Sequence, residues 1–129
     1  MKLWIFGIVA LVAMPACGQI VAKDIATLVV SNTGSGPVYI EGAISFVRVE
    51  SNGKAIEEKR LERNSVSFSL RPGEYELVGY DRPCDGNCGY LDPPTDRCSH
   101  LFGLRRGDRL LATIRMQAGD PCRISFRRT

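Results

Sequence analysis

Five cysteines are the residues of this 129-residue chain whose types and spacing bear most directly on chemistry: Cys17, Cys84, Cys88, Cys98 and Cys122. If four of the five form two disulfides, one thiol remains unpaired. The last four lack the paired C-x2-C knuckles of most zinc sites, so zinc is the weaker use for them. Cys84 and Cys88 flank three turn-forming residues, which predicts a Cys84–Cys88 bridge and leaves Cys98 for Cys122.

The first seventeen residues have the pattern of an export signal. Lys2 is positively charged, residues 3–13 are apolar and uncharged, and the turn-prone residues 14–16 precede Cys17. The apolar run is too short to span a bilayer. The exit resembles the lipobox of bacterial lipoproteins, whose cysteine is lipidated and becomes the new N-terminus. Plain secretion without a lipid is the alternative.

This resemblance implies three regions: a removed signal (1–16), a lipid-anchor cysteine with its tether (17–23), and one domain (24–129). The implied location is the extracytoplasmic side of a bacterial cell envelope, with the bilayer as the first partner. An oxidising compartment also suits the four remaining cysteines.

The charge of the mature chain argues against nucleic acid as a partner. Of the 17 Lys and Arg, only Lys2 lies in the signal, which leaves 16 against 14 Asp and Glu. Arginines nevertheless crowd the last quarter of the chain. Such a cluster could face an anionic lipid or polysaccharide, although the solvated face of a sheet explains it too. The cluster comprises Arg105, Arg106, Arg109, Arg115, Arg123, Arg127 and Arg128.

Alternating apolar and polar residues predict strands along most of the domain. In residues 65–70, Val66, Phe68 and Leu70 alternate with three serines. Asn52-Gly53 predicts a tight hairpin turn. Residues 55–63 are ambiguous between an edge strand and a short helix. The expected fold class is all-β, an antiparallel Greek-key sandwich of seven or eight strands with a long disulfide-stapled loop. Further strands are expected at 26–31, 38–49, 74–80, 110–116 and 122–127.

Residues 66–77, VSFSLRPGEYEL, predict two strands joined by a type II turn with Pro72 and Gly73 at its centre, which makes a hairpin. They resemble the L-x-P-G-x-Y-x-L motif of transthyretin-like domains, which include the carboxypeptidase regulatory-like modules. The resemblance covers about a dozen residues. It implies a Greek-key sandwich that is usually non-catalytic and often attached to envelope or secreted proteins.

Residues 81–100 form the least sheet-like stretch, with three prolines, two glycines and three cysteines. Tyr90 and Leu91 are the expected apolar residues at the loop tip, and Arg82 and Arg97 its charged flanks. Packing of Tyr90 and Leu91 against the sandwich is the alternative. A weak calcium set is also present, although ordinary turns explain these side chains as well: Asp85, Asn87, Asp92 and Asp96.

No catalytic signature is apparent. His100 is the only histidine, and a hydrolase would have to combine it with Asp92 or Asp96. We therefore expect a non-catalytic domain without a cofactor, which binds an envelope protein or polysaccharide. A protease inhibitor that presents a rigid loop is the alternative function, and a small envelope hydrolase is a third.

Overall fold

The computed structural model describes residues 24–34, 43–61, 65–84, 86–116 and 121–129. The predicted signal and Cys17 lie outside the described residues. Eight strands follow one another along the chain: β1 (Ala26–Asn32), β2 (Ala43–Ser51), β3 (Lys54–Arg60), β4 (Val66–Leu70), β5 (Gly73–Pro83), β6 (Thr95–Leu104), β7 (Arg109–Arg115) and β8 (Arg123–Arg128).

The strands form two four-stranded sheets, which confirms the predicted all-β sandwich. Sheet I has the order β4-β1-β7-β8, and sheet II has the order β3-β2-β5-β6. One pair differs from the expected antiparallel pattern, because β1 and β7 run parallel. Alternation of side chains is the same in both kinds of pair, so it carries no signal for strand direction.

The core lies between the sheets and is built by the alternation visible in the sequence. In β1, Ala26, Leu28 and Val30 have no exposed surface. Leu28 and Val30 lie beside Leu110 and Ala112 of β7. Inward residues recur along a strand with a period of two, and most of those in this interior are aliphatic. Sheet II contributes Val47, Val49, Leu77, Phe102 and Leu104.

The predicted hairpin at residues 66–77 is wrong in its pairing. β4 pairs with β1 in sheet I, whereas β5 pairs with β2 and β6 in sheet II. Gly73 begins β5 with a φ of 157°, far from the roughly +80° of a type II turn. The chain therefore crosses from one sheet to the other here. Tyr75 fixes this crossing by donating its hydroxyl to the carbonyl of Arg71 at 2.6 Å, the type of contact called a tyrosine corner.

The Asn52-Gly53 hairpin is confirmed. Both residues have positive φ, 51° and 75°, as a tight two-residue turn requires. The ambiguous stretch after it forms strand β3, paired with β2 alone at the edge of sheet II. Its helical propensity is overridden by this pairing, because tertiary context outweighs a weak local preference.

A second apolar cluster lies on the outer face of sheet II. The rings of Phe46 and Tyr80 stack with centroids 5.5 Å apart. The guanidinium of Arg48 lies 5.5 Å from the centre of the Tyr80 ring and is paired with Glu50 at 2.6 Å. Tyr80 is buried although it points away from the main core.

Candidate binding site

Both expected disulfides are present. Cys84 is bonded to Cys88 with their Cα atoms 4.7 Å apart, and Cys98 to Cys122 with Cα atoms 5.5 Å apart. The first bridge closes a turn inside one loop. The second joins β6 of sheet II to the residue before β8 of sheet I, so it ties the two sheets together at one side of the sandwich.

The loop is shorter than the predicted 81–100. β5 continues to Pro83, and β6 begins at Thr95, where Thr95 is in register with Asp81. The sequence pattern predicts no strand over β6, and the first half of this edge strand shows why. From residue 95 to 101, all residues except Cys98 are exposed, so no apolar alternation marks them. We call residues 84–94 the staple loop; Asp85 within it lies outside the described residues.

Arg82 holds the staple loop in shape. Its Nε donates to the carbonyl of Asp92 and its Nη2 to the carbonyl of Leu91, both at 2.8 Å. The amide of Asp92 donates in turn to the carbonyl of Pro83 at 2.8 Å. The guanidinium of Arg82 therefore has a structural role in bracing the loop backbone, and its contact with a ligand stays a prediction.

Tyr90 projects from this braced loop. It is 82% exposed, and its amide donates to the carbonyl of Asn87 at 3.0 Å. The alternative in which Tyr90 folds onto the sandwich is wrong. Leu91 is half-buried at the base of the loop, and Arg97 is exposed on β6. The structure thus brings an exposed aromatic ring, a rigid backbone and a cation to the same end of the molecule.

Three members of the weak calcium set lie among the described residues: Asn87, Asp92 and Asp96. Asn87 uses its Oδ1 to accept the amide of Gly89 at 3.0 Å, an ordinary turn contact. No three His, Cys, Asp or Glu side chains in the described part of the chain are grouped to hold a metal ion. Asp85 lies outside those residues.

A buried carboxylate lies at the base of the staple loop. Asp81 is 2% exposed and accepts a hydrogen bond from the Ser45 hydroxyl at 2.6 Å. Burial raises the pKa of Asp81; the Ser45 hydrogen bond opposes this, and the charge of Asp96 adds to it. Asp81 is not among the predicted site residues, although the inward alternation of Tyr75, Leu77 and Gly79 reaches it in two further residues.

His100 is distant from both candidate carboxylates. Asp96 precedes it by four residues on extended β6, about 13 Å away. Asp92 lies beside Pro83 of β5, and His100 lies opposite Leu77 of the same strand. Pro83 and Leu77 are six residues apart, so Asp92 is about 20 Å from His100. The His100 ring instead makes an edge contact with Phe126 at 5.2 Å, and its Nδ1 lies 2.8 Å from the Leu101 carbonyl.

An open groove of about 260 Å³ lies between the edges of β6 and β8. Among its described lining residues, Arg128 is the charged one, and its Nη2 donates to the carbonyl of Gly103 at 3.0 Å. Its Nη1 pairs with Asp108. The guanidinium of Arg128 is thus already engaged by contacts within the domain. Its remaining lining residues are Leu101, Phe102, Gly103, Leu110 and Phe126.

The two disulfides indicate an oxidising, extracytoplasmic environment. In the described part of the chain, no helix is long and apolar enough to cross a bilayer. Comparison of the chain with protein-family models, with curated proteins and with solved structures found no match.

Proposed function

We propose that this chain is a lipid-anchored, extracytoplasmic binding domain without catalytic activity, which contacts an envelope protein or polymer through Tyr90 of the staple loop. One observation carries the binding role: Tyr90 is 82% exposed on a loop whose backbone is fixed by a disulfide and by Arg82. Aromatic side chains are common anchors of interfaces. A braced loop loses little conformational entropy on binding.

Three observations support the wider proposal. His100 is too far from Asp92 and Asp96 to form a catalytic pair with either, which supports a role without hydrolysis. The two disulfides suit the export that the N-terminal pattern predicts. The two-sheet sandwich suits a transthyretin-like domain, as the resemblance at residues 66–77 implies.

The binding role is tested with a photo-crosslinking amino acid at position 90, and at position 56 as a matched control. Ile56 is also an exposed large apolar residue, 50% exposed, but it lies on β3. A specific partner should crosslink at position 90 and not at 56. Tyr90→Ala should then weaken its affinity about 30-fold, as the loss of an anchoring aromatic does, and Ile56→Ala should not. Equal crosslinking or equal affinities would refute the binding role of the loop.

The same rigid loop also suits a protease inhibitor, the alternative function. Titration of a panel of envelope and secreted proteases separates the two. Inhibition that is lost in Tyr90→Ala would make the partner a protease, whereas binding without inhibition favours the general binding role.

The anchor is tested by labelling cells with a radioactive fatty acid. Wild-type protein should take up label and fractionate with membranes, and Cys17→Ser should do neither. A wild-type protein without label would mean that the chain is secreted without a lipid.

A further inference from the structure

Four arginines lie together on the outer face of sheet I. Arg109 and Arg115 of β7 point outward with Leu111, while Arg123 and Arg127 of β8 are in register with Arg115 and Leu111. All four arginines are exposed. The predicted arginine cluster is thus divided by the fold, because alternation sends these members to one face and Arg128 to the sandwich edge, where it pairs with Asp108.

The strands that form this basic face carry charges of one sign. The strands of sheet I contain no Asp or Glu, and the remaining outward residues are apolar or hydroxyl-bearing. Sheet II differs, because its strands carry exposed acids such as Glu58 and Glu74. The two sheets therefore differ in charge: the outer face of sheet I is basic, and sheet II carries charges of both signs.

The width of the basic face indicates which kind of ligand it can bind. Arg109 of β7 and Arg123 of β8, which lies opposite Arg115, are separated by six residue positions along the strands, about 20 Å. This spacing exceeds a Debye length of about 8 Å at physiological salt, so one small anion cannot reach both charges. A flat array of this width suits a surface that presents many phosphates at once.

The chain enters sheet I from the tether at the end of the sheet where Arg109 lies. Asp24 pairs with Arg106 at 2.9 Å, and Thr27 is in register with Arg109. Residues 18–23 can span only about 20 Å when fully extended, so an anchor at Cys17 would keep this end of sheet I close to the bilayer. Anionic headgroups attract basic residues held at that distance.

We infer that the outer face of sheet I is a docking surface for anionic phospholipid, which holds the anchored domain against the membrane and leaves sheet II and the staple loop accessible. The inference rests on the proposed anchor at Cys17. Each arginine near an anionic surface strengthens binding about fivefold, so removing Arg109, Arg123 and Arg127 together should weaken it about 100-fold.

The test uses purified lipidated protein in vesicles of phosphatidylcholine, with or without phosphatidylglycerol, and a bilayer-resident quencher. A fluorescent amino acid replaces Ser125 on the basic face or Glu58 on sheet II. Only position 125 should be quenched, and only when phosphatidylglycerol is present. The triple change Arg109→Gln, Arg123→Gln, Arg127→Gln and high salt should each abolish the quenching. A control variant has the same net charge and should be quenched like the wild type: Lys54→Gln, Arg60→Gln, Arg97→Gln.

Failure of the anchor and failure of docking give different results. Protein that does not sediment with phosphatidylcholine vesicles would contradict the anchor. Protein that sediments but shows equal quenching at both positions, or equal quenching in the two triple variants, would overturn the docking surface. Loss of quenching on addition of a soluble anionic polysaccharide, with arginine-dependent binding of that polymer, would also overturn it and assign the face to polysaccharide.

Discussion

Loss of the Cys98–Cys122 bridge should cost this domain more stability than loss of the Cys84–Cys88 bridge. The two pairs are separated by 24 and 4 residues in sequence. The chain-entropy model then assigns about 3.5 kcal/mol to the longer loop and about 2.1 kcal/mol to the shorter one. The bridge with the larger effect is also the one that ties sheet I to sheet II.

Cys122→Ala and Cys88→Ala are the suitable variants. Cys88 is exposed, so its truncation leaves no cavity, while Cys84 remains in its buried position as a free thiol. Urea unfolding gives the free energy of unfolding for each variant and for wild type. Mass spectrometry of each purified variant checks that the remaining free thiol has formed no new bridge.

We expect Cys122→Ala to lose about 1.4 kcal/mol more than Cys88→Ala, and more still if the half-buried Cys122 leaves a void. Equal losses, or a larger loss in Cys88→Ala, would refute the view that the inter-sheet bridge is the main covalent constraint.

Three further predictions concern individual side-chain contacts. Asp81→Asn should gain stability relative to wild type as the pH rises from 4 to 8, because the raised pKa of Asp81 makes wild type lose stability when this carboxyl ionises; parallel melting profiles across that range would contradict this. Tyr75→Phe should lose about 1 kcal/mol in urea unfolding through its missing hydrogen bond, and no loss would mean that the tyrosine corner is unimportant. Gly79→Ala should lose about 1–3 kcal/mol because its new Cβ would lie 2.7 Å from the Ile114 side chain, and a neutral result would show that Ile114 moves aside freely.

Local patterns in the sequence predicted the parts of the fold that depend on neighbouring residues. Alternation identified the inward side chains of β4, β7 and β8, and Asn52-Gly53 identified the turn between β2 and β3. The disulfide pairing followed from the short span between Cys84 and Cys88. Each of these features is decided within a few residues of chain.

Features that depend on distant parts of the chain were not predictable in this way. A Pro-Gly pair can end a hairpin or an arch, so residues 71–73 gave no sign that β4 and β5 belong to different sheets. The polar edge strand β6 has no apolar face along its first half. The parallel pairing of β1 with β7 joins segments about 80 residues apart.

The candidate site shows the same division. The sequence did not decide whether Tyr90 is exposed or packs against the sandwich, because a residue at a loop tip can do either. The role of Arg82 depends on carbonyl groups nine and ten residues away, and side-chain bonds to distant backbone leave no pattern in a sequence. The buried pair Asp81–Ser45 spans 36 residues and required the register of β2 with β5.

The most direct test of the account is the intact mass of the protein isolated from membranes of the cells that make it, measured without reduction and again after alkylation. We expect a chain that begins at lipidated Cys17 and contains two disulfides, so that alkylation without reduction adds no mass. A chain with an unmodified N-terminus elsewhere, or with free thiols among its last four cysteines, would contradict a lipid-anchored extracytoplasmic domain.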